Sequence, residues 1–545
     1  MSHPRPFAIT LDPGSSLHNH TGTWRTQRPV YLNRLPPCNN ACPAGENIQQ
    51  WLYHAEEGHY EQAFHALIRD NPFPAIHGRV CYHPCEDACN RGQLDQAVSI
   101  HAVERFLGDE AIKQGWLPPA PAPASGKRVL IVGAGPSGLS AAYHLAMLGH
   151  KVVIYEAGPL PGGMMRFGIP KYRLPRDILD AEIGRLATLG VTIELNRPVA
   201  DVAHDMAAGG FDACFLAIGA QLSKRTEIPC RDAGKMLDAV SFLRAVESGQ
   251  EPVRLGRRVA IYGGGNTAMD AARTARRLGA EETLIIYRRD REHMAALEFE
   301  ADEALQEGVV IRWLRTIKQM DDSSLTVEEM ELDKDGWPQP TGRLEKLEAD
   351  TLILALGQKP DSGFLAKVPG LQFDKEGVLK VDANLMTGYP GLFAGGDMVP
   401  GQRSVTIAVG HGKKAARHLD AYLRQTRYCP PPKPELASFG HLNTWYYSDA
   451  ERSRQPVLDL LRRTSSFSEI HAGLSADTAL FEARRCLSCG NCFECDNCYG
   501  VCPDNAVIKK GPGNRYEFNY DFCKGCGLCA QECPCGAIAM ENEKI

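Results

Sequence analysis

The sequence predicts a multidomain α/β protein whose two ends are cysteine-bearing domains of a different kind. Its 545 residues are too many for one ordinary hydrophobic core, so we expect several domains. From Lys127 onward, short β-branched runs, glycine-rich turns and helical stretches alternate, which is typical of parallel sheets with crossover helices. The pattern begins at Arg128 and again at Arg258, and it therefore predicts two such units.

The overall composition indicates a cytoplasmic protein without a nucleic-acid or membrane partner. Hydrophobic residues make up 43% of the chain, charged residues 23%, and the formal net charge is −6. A charge this modest does not favour binding to nucleic acid or to an anionic membrane. No apolar run approaches the roughly 20 residues that span a bilayer. Residues 1–16 lack the basic and apolar segments of a secretory signal.

The cysteines are numerous and clustered. Of 19 in total, five lie between Cys38 and Cys89 and eleven between Cys486 and Cys535. Disulfide-rich scaffolds are usually small and secreted, whereas this chain is long and shows no secretory signal. Clustered cysteines in such a chain predict metal ligation.

The segment KRVLIVGAGPSGLSAAYHLAMLGHKVVIYEA predicts a first dinucleotide site. A buried strand is followed by Gly133, Gly135 and Gly138, which open a helix, and the next strand ends on Glu156. These glycines allow a tight turn, close approach of a pyrophosphate to the backbone, and close packing of helix on strand. Glu156 is placed to accept hydrogen bonds from a ribose. An ordinary strand–helix turn is the alternative for glycines alone, but here every element of the pattern is present.

The segment RRVAIYGGGNTAMDAARTARRLGAEETLIIYRRD repeats this plan and predicts a second dinucleotide site. The strand is followed by Gly263 and Gly265, and the helix opens at Asn266 and Thr267. Where the first site has a carboxylate, the second has two arginines, Arg288 and Arg289. Arginines can pair with a 2′-phosphate that a carboxylate would repel, which favours NADP(H) over NAD(H). The alternative is that both arginines lie in a solvated turn.

These motifs, in this order, resemble the small subunit of glutamate synthase and related NADPH-dependent flavin and iron–sulfur proteins; dihydropyrimidine dehydrogenase carries a related module. The matching segments span about residues 38–425 and read GRVCYHPCEDAC, VGAGPSGLSAA, PGGMMRFGIPKYRLP, GGGNTAMDAA, YRR, ILALGQKPD and LFAGGDMVPGQRSVTIAVGHGKKAA. The resemblance implies that the first of two Rossmann-like domains binds FAD and the second binds NADPH. It also implies flavin contacts from Gly163, Ile169, Pro170, Gly396 and Asp397, with Asp397 meeting the ribityl chain.

The C-terminal cysteines predict a bacterial-type ferredoxin domain with two [4Fe–4S] clusters. Two runs share the spacing C-x2-C-x2-C-x3-C-P, and in this pattern the fourth cysteine of each run ligates the other cluster. Zinc is the alternative for paired CxxC motifs, but the doubled x3-C-P ending counts against it. The expected ligand sets are Cys492, Cys495, Cys498 and Cys533 for one cluster, and Cys502, Cys523, Cys526 and Cys529 for the other.

The N-terminal cysteines depart from the family pattern. The resemblance implies one cluster held by Cys42, Cys81 and Cys85 with Glu104 as the non-cysteine ligand. The family's first C-x2-C element is absent here, which leaves only Cys38 and Cys89 for a second cluster.

A second pair of cysteines is available to complete this site. Cys486 and Cys489 in EARRCLSCG are not used by the ferredoxin spacing, and their segment resembles the missing element. We therefore expect Cys38, Cys89, Cys486 and Cys489 to share one [4Fe–4S] cluster. The alternatives are that the second pair is an idle remnant, or that this cluster is lost.

The sequence thus predicts an oxidoreductase that uses FAD, NADPH or NADH, and three to four [4Fe–4S] clusters. Hydride transfer needs no acid–base residue, because the cofactors carry the chemistry. The appended ferredoxin domain predicts a single-electron partner, such as ferredoxin or a 2-oxoacid:ferredoxin oxidoreductase, in a hetero-oligomeric complex. The alternatives are a glutamate synthase small subunit and a non-catalytic iron–sulfur relay.

The expected domains follow from these motifs and from the Pro/Ala-rich linker LPPAPAPASG. They are an irregular arm (1–37), a helical iron–sulfur domain (38–116), the linker (117–126), the FAD-binding domain in two parts (127–255 and 363–428), the NAD(P)H-binding domain (256–362), a connector (429–480) and the ferredoxin-like domain (481–545).

Overall fold

The computed structural model describes residues 20–224, 226–230, 236–249 and 255–543, and within them the N-terminal domain is helical as expected. Residues 1–16, on which the prediction of no secretory signal rests, lie outside the described residues. Several short helices begin at proline, which suits the first helical position because its missing N–H would have no partner there. The helices are α1 (Pro37–Ala41), α2 (Ile48–Glu56), α3 (Tyr60–Ile68), α4 (Pro74–Val80), α5 (Pro84–Asp87) and α6 (Ile100–Gln114).

The first nucleotide-binding domain is built on a five-stranded parallel sheet in the order β16-β5-β2-β3-β4. Apolar strands such as RVLIV are buried on both faces, as parallel sheets require. The strands are β2 (Arg128–Val132), β3 (Lys151–Tyr155), β4 (Thr192–Glu194), β5 (Ala213–Leu216) and β16 (Leu392–Ala394). The helices are α7 (Pro136–Met147), α8 (Met164–Phe167), α9 (Arg176–Thr188), α10 (Val202–Gly209) and α14 (Val405–Leu423).

The second nucleotide-binding domain has its own five-stranded parallel sheet in the order β10-β9-β8-β14-β7, with a three-stranded antiparallel meander beside it. The sheet strands are β7 (Met236–Asp238), β8 (Arg258–Tyr262), β9 (Glu282–Ile286), β10 (Val310–Arg312) and β14 (Thr351–Leu354), and the helices are α11 (Ala239–Ser248), α12 (Asn266–Arg277) and α13 (Glu298–Gln306). The meander is β11 (Arg315–Met320), β12 (Ser324–Leu332) and β13 (Pro338–Glu348), and β6 (Leu222–Ser223) pairs with β15 (Gln358–Lys359) between the domains.

The boundary between these two domains differs from the expected one. The sequence motifs place the segment with β7 and α11 in the FAD-binding part, residues 127–255. In the structure β7 pairs with β14 and so belongs to the second sheet, which therefore begins before residue 256. A three-residue edge strand carries too weak an alternation of polar and apolar residues to be assigned from sequence.

The connector packs across the body of the protein, and the cysteine-dense domain follows it. The connector contains α15 (Leu460–Ser465) and α16 (Ala476–Ala483). Arg463 in α15 pairs with the buried carboxylate of Glu307, next to the nucleotide-binding helix α12. The last domain contains α17 (Asn497–Gly500), β17 (Val507–Lys509), β18 (Tyr516–Phe518), α18 (Leu528–Gln531) and β19 (Ile538–Asn542).

The described part of the N-terminal arm contains a strand that the sequence did not predict. Within the stretch expected to be irregular, β1 (Gln27–Tyr31) pairs antiparallel with β19 at the other end of the chain. The pattern QRPVY has one proline and little periodicity, so its strand conformation depends on a partner more than 500 residues away. Among the described residues, no helix has the length and apolar character needed to cross a bilayer.

Candidate functional site

The first cavity lies at the carboxyl end of β2, where α7 begins. Its volume is about 620 Å³. Gly133 has φ 105°, and a Cβ there would lie 2.5 Å from the carbonyl oxygen of Ala217, so only glycine fits this turn. A Cβ on Gly138 would lie 2.0 Å from the carbonyl oxygen of Gly133, which explains the close packing of helix on strand. Of the residues predicted by sequence, this cavity is lined by Gly133, Gly135, Glu156, Gly163, Gly396 and Asp397.

The entrance to α7 suits a phosphate group. A Cβ on Gly135 would meet nothing within 4 Å, so the backbone there is open to a ligand. The hydroxyl of Ser137, in the first turn of the helix, is buried without a hydrogen-bond partner and also lines the cavity. Free N–H groups and the helix dipole favour an anion at this position.

Two carboxylates face this cavity. Glu156 accepts hydrogen bonds from the backbone N–H groups of Ala134 and Gly158, each at 2.7 Å, so it also holds the glycine turn in shape. Burial raises the pKa of Asp397 to about 6. Because Asp397 follows the short strand β16 and lines the cavity, it is available to a polar ligand group there.

The second cavity, of about 790 Å³, lies at the corresponding edge of the second sheet. Gly265 is open in the same way as Gly135, since a Cβ there would meet nothing within 4 Å. Arg289 stacks its guanidinium 4.8 Å above the ring of Trp337, and its Nε is buried without a partner. This cavity is lined by all six residues that the sequence predicted for it: Gly263, Gly265, Asn266, Thr267, Arg288 and Arg289.

The two cavities meet. Pro136, Met164 and Asp397 line both of them, so the ends of two bound nucleotides would come together at these residues. Ile169, expected beside the flavin, lines the second cavity on the side of Met164. Pro170 instead lines a separate cavity of about 130 Å³ between the two domains.

The second cavity also borders the helical domain, which the sequence analysis did not foresee. Val80 and Tyr82 line its wall and flank Cys81 in the chain. The side-chain amide of Asn266 donates a hydrogen bond of 2.6 Å to the Tyr82 hydroxyl, which ties the two domains together at the start of α12. The only sequence signal was the position of Tyr82 within GRVCYHPCEDAC.

The first group of cysteines lies directly behind this wall. Burial and the neighbouring Glu46 and Cys81 raise the pKa of the Cys42 thiol. Burial and the neighbouring Glu104 raise the pKa of Cys81, to about 12, and Cys85 lies next to Cys81 and Cys42. The structure thus brings together the three cysteines and the glutamate expected to form one site.

A second buried carboxylate, which the sequence analysis missed, lies at the same place. Glu46 and Glu104 are 4% and 5% exposed, and each accepts a hydrogen bond from the side-chain amide of Asn71. His77 lies 3.9 Å from each of the two carboxylates. Glu46 follows Cys42 by four positions, and this proximity in sequence was the only available signal.

The second group combines cysteines of the N-terminal helical domain with cysteines of the C-terminal domain. A single small cavity is lined by Cys38, Cys89, Cys486 and Cys489, the four residues expected to share a cluster. Burial and the neighbouring sulfurs of Cys486, Cys89 and Cys489 raise the pKa of Cys38, because thiolates packed together repel one another. The side-chain amide of Asn90 points its N–H at the Cys489 sulfur, at 3.5 Å.

The ferredoxin-like domain holds the third and fourth groups. The cysteines of the fourth group line a cavity of their own. In the third group, burial and the neighbouring sulfurs of Cys495 and Cys533 raise the pKa of the Cys492 thiol. Each run ends in the same way, since the N–H of Ala506 donates to Cys502 Sγ at 3.2 Å and that of Ala537 to Cys533 Sγ at 3.3 Å. The third group is Cys492, Cys495, Cys498 and Cys533, and the fourth is Cys502, Cys523, Cys526 and Cys529.

The four groups suit iron–sulfur clusters and follow one another along the molecule. Three of them offer four thiolates each, the donor set typical of [4Fe–4S] clusters, and the first offers three thiolates together with carboxylates. Neighbouring groups are joined by cysteines three or four positions apart, which are Cys38 and Cys42, Cys85 and Cys89, Cys489 and Cys492, Cys498 and Cys502, and Cys529 and Cys533. Four extended residues span at most about 14 Å, so consecutive groups are close neighbours.

Three family models match the chain. The pyridine nucleotide-disulphide oxidoreductase model covers residues 127–412. The model of dihydropyrimidine dehydrogenase domain II with a 4Fe-4S cluster covers residues 22–116, and the 4Fe-4S binding domain model covers residues 516–539. These matches fall on the parts of the chain that contain the two cavities and the cysteine groups.

Several curated proteins are similar over most of the chain. The beta subunit of NADP(+)-dependent formate dehydrogenase from Moorella thermoacetica is 37% identical over 83% of this chain and 70% of its own length. The beta subunit of NADPH-Fe(3+) oxidoreductase from Geobacter sulfurreducens is 34% identical over 83% and 75%, respectively. The small chain of NADPH glutamate synthase from Escherichia coli is 33% identical over 70% of this chain and 87% of its own length.

Proposed function

We propose that this chain, which belongs to the pyridine nucleotide-disulphide oxidoreductase family, is the electron-transfer subunit of a complex. In that complex, NADPH exchanges electrons with a low-potential iron–sulfur partner. The chain is an oxidoreductase that uses FAD, NAD(P)H and [4Fe–4S] clusters. The observation that carries the proposal is the junction of the two nucleotide cavities at Pro136, Met164 and Asp397, beside the wall formed by Val80 and Tyr82.

The residues at this junction have positioning roles. FAD, when bound, would supply the conversion between hydride transfer and single-electron transfer. Gly135 and Gly265 admit the two pyrophosphates, and the shared wall at Met164 sets the approach of the two ring systems. Tyr82 holds the start of α12 against the segment that contains Cys81. The first cluster therefore adjoins the site at which hydride is exchanged.

The proposed route for single electrons runs through the four cysteine groups in order. It leads from the group of Cys42 to the shared group of both chain ends, and then to the two groups of the ferredoxin-like domain. Cys495 and Cys526, one ligand from each group in that domain, are exposed, so a partner can approach both clusters. Because iron–sulfur clusters exchange single electrons, exposed clusters would suit an acceptor that takes one electron at a time.

The partner is proposed to be a ferredoxin or a larger iron–sulfur enzyme, such as a 2-oxoacid:ferredoxin oxidoreductase. The relatives from Moorella and Geobacter are both named as beta subunits, which supports a place in a hetero-oligomeric complex. A glutamate synthase small subunit is the second candidate, favoured by the similarity to the Escherichia coli protein. A non-catalytic relay is disfavoured, because the second cavity keeps its open glycine and its arginines.

Anaerobic reduction by NADPH tests the proposed function. We expect NADPH in several-fold excess over FAD to bleach the flavin and to produce the EPR signals of reduced [4Fe–4S] clusters in the same sample. Dithionite reduction of a second sample gives the full cluster signal for comparison. A flavin that stays oxidised under NADPH, in a protein whose clusters dithionite reduces, would identify a relay instead.

Glu156→Ala is expected to weaken FAD retention roughly tenfold or more, since a charged hydrogen-bond acceptor contributes about 1.5–3 kcal/mol. The carboxylate is proposed to bind the ribose, and it also holds the glycine turn through Ala134 and Gly158. The measurement is FAD per protein after dialysis. Glu281→Ala, an exposed carboxylate paired with Arg257, is the control and should keep its flavin. Equal retention in both variants would exclude the ribose role.

A further inference from the structure

The N-terminal strand β1 is part of the ferredoxin-like domain. It pairs with β19 residue by residue, and Tyr31 lies opposite Ile538. Arg25 strengthens this attachment, since its guanidinium donates hydrogen bonds to the carbonyl oxygens of Tyr520 at 2.6 Å and of Cys523 at 2.8 Å. Residues 25–31 therefore pack against the segment that contains Cys523 and against the strand that follows Cys533.

The domain has an internal two-fold repeat, which makes Tyr31 and Phe518 equivalent. Val507 and Ile538 each follow the last cysteine of a run by five positions. Val507 pairs with Phe518 across β17 and β18, and Ile538 pairs with Tyr31 across β19 and β1. The rings of Tyr31 and Phe518 stack at 4.7 Å with an angle of 16° between their planes.

The two equivalent rings differ by one hydroxyl group. The Tyr31 oxygen lies 3.2 Å from Cys498 Sγ, within hydrogen-bonding distance of sulfur. Phe518 lines the cavity of the other group, with Cys502, Cys523 and Cys529, and has no hydroxyl to offer. The backbone N–H···S bonds of Ala506 and Ala537 are matched in the two halves, so these bonds do not distinguish the two clusters, whereas the hydroxyl does.

We propose that Tyr31 donates an O–H···S hydrogen bond to Cys498 and thereby raises the reduction potential of the cluster at Cys492, Cys495, Cys498 and Cys533. A cluster gains one negative charge on reduction, and a hydrogen bond to a ligand sulfur stabilises that charge. The proposal rests on the proposed ligation of this cluster. Cys492 is three positions from Cys489, so this cluster adjoins the shared group on the proposed route from the flavin. Of the two clusters in the domain, the one with the higher reduction potential is therefore the one nearer the flavin.

Tyr31→Phe tests the proposal, because it removes the hydroxyl and keeps the ring. In the full-length protein, an EPR-monitored redox titration is expected to show one [4Fe–4S] cluster shifted to lower potential and the others unchanged. Resonance Raman spectra in H2O and D2O should show a deuterium-sensitive Fe–S(Cys) band in the parent that is lost in the variant. Tyr520→Phe is the matched control, because its hydroxyl bonds to the carbonyl oxygen of Pro29 in β1.

The outcomes separate this proposal from the proposed function. Equal potentials in the parent and in Tyr31→Phe would overturn the role of the hydroxyl while leaving the clusters in place. An equal shift in Tyr520→Phe would assign the effect to loosening of β1, and loss of iron in Tyr31→Phe would assign Tyr31 a purely structural role; either result overturns the proposal. Failure of the proposed ligation itself would appear separately, as missing iron in the parent protein.

Discussion

Replacing Cys486 and Cys489 by serine is expected to remove about four iron atoms per FAD, the content of one [4Fe–4S] cluster. These two cysteines line one cavity with Cys38 and Cys89, although 397 positions separate Cys89 from Cys486. Serine is a poor ligand for such a cluster, and two of its four thiolates would be lost. Iron analysis and EPR of the reduced protein measure the effect, with Cys429→Ser, an exposed cysteine outside all four groups, as the control.

The paired replacements show whether the site is shared. The variant Cys38→Ser with Cys89→Ser should lose as much iron per FAD as the C-terminal pair. The quadruple variant should lose no more iron than either pair. Such non-additivity is expected of residues that act as one unit. Unchanged iron in the C-terminal pair would contradict the shared cluster and leave Cys486 and Cys489 as idle thiols.

The variant with serine at Cys486 and Cys489 also tests the electron route. If the shared cluster links the first group to the ferredoxin-like domain, NADPH should still bleach the flavin, but the ferredoxin-domain clusters should be reduced much more slowly than in the parent. Stopped-flow absorbance under anaerobic conditions separates the two phases. Full-speed reduction of those clusters would show that electrons reach them by another path.

Replacing Arg288 and Arg289 by alanine is expected to lower kcat/KM for NADPH roughly 10- to 100-fold, because charged hydrogen bonds to a phosphate contribute about 1.5–3 kcal/mol. Both arginines line the second cavity. The Nε of Arg289 is buried without a hydrogen-bond partner, so its N–H is available to a bound anion. NADH lacks the 2′-phosphate, so its kcat/KM should change little.

A neighbouring arginine provides the control for this experiment. Arg291 is exposed and pairs with Glu298 and Asp302, and it is absent from the lining of the cavity. Arg291→Ala should leave the preference between the two nucleotides unaltered. An equal loss for NADH and NADPH in the double variant would point to a general effect on folding and would reject the proposed specificity.

Much of the architecture could be predicted because its signals are local. A strand, a glycine turn, a helix and a second strand lie within about 30 consecutive residues, and close packing at Gly133 and Gly138 leaves few alternatives to glycine. The predicted multidomain α/β fold with FAD, NADPH and [4Fe–4S] clusters is confirmed by the family matches. Cysteine spacing predicts the ligand groups of the ferredoxin-like domain, and the structure brings the cysteines of each predicted group together.

The features that the sequence analysis missed are contacts between distant segments. The strand at Gln27–Tyr31, the place of β7 in the second sheet, and the wall formed by Val80 and Tyr82 each depend on a partner far along the chain. A short strand has too few residues for its periodicity to be recognised, and its pairing energy comes from the neighbour it meets.

The kinds of domain, the cofactors and the cysteine sets could be predicted from local patterns, because glycine turns and ligand spacing are constrained within a few residues. Which of these elements meet depends on the tertiary structure. It joined the two nucleotide cavities at Met164 and Asp397, set Cys38 and Cys89 against Cys486 and Cys489, and directed the hydroxyl of Tyr31 to the sulfur of Cys498. Such contacts arise from packing of whole domains, and no local pattern encodes them.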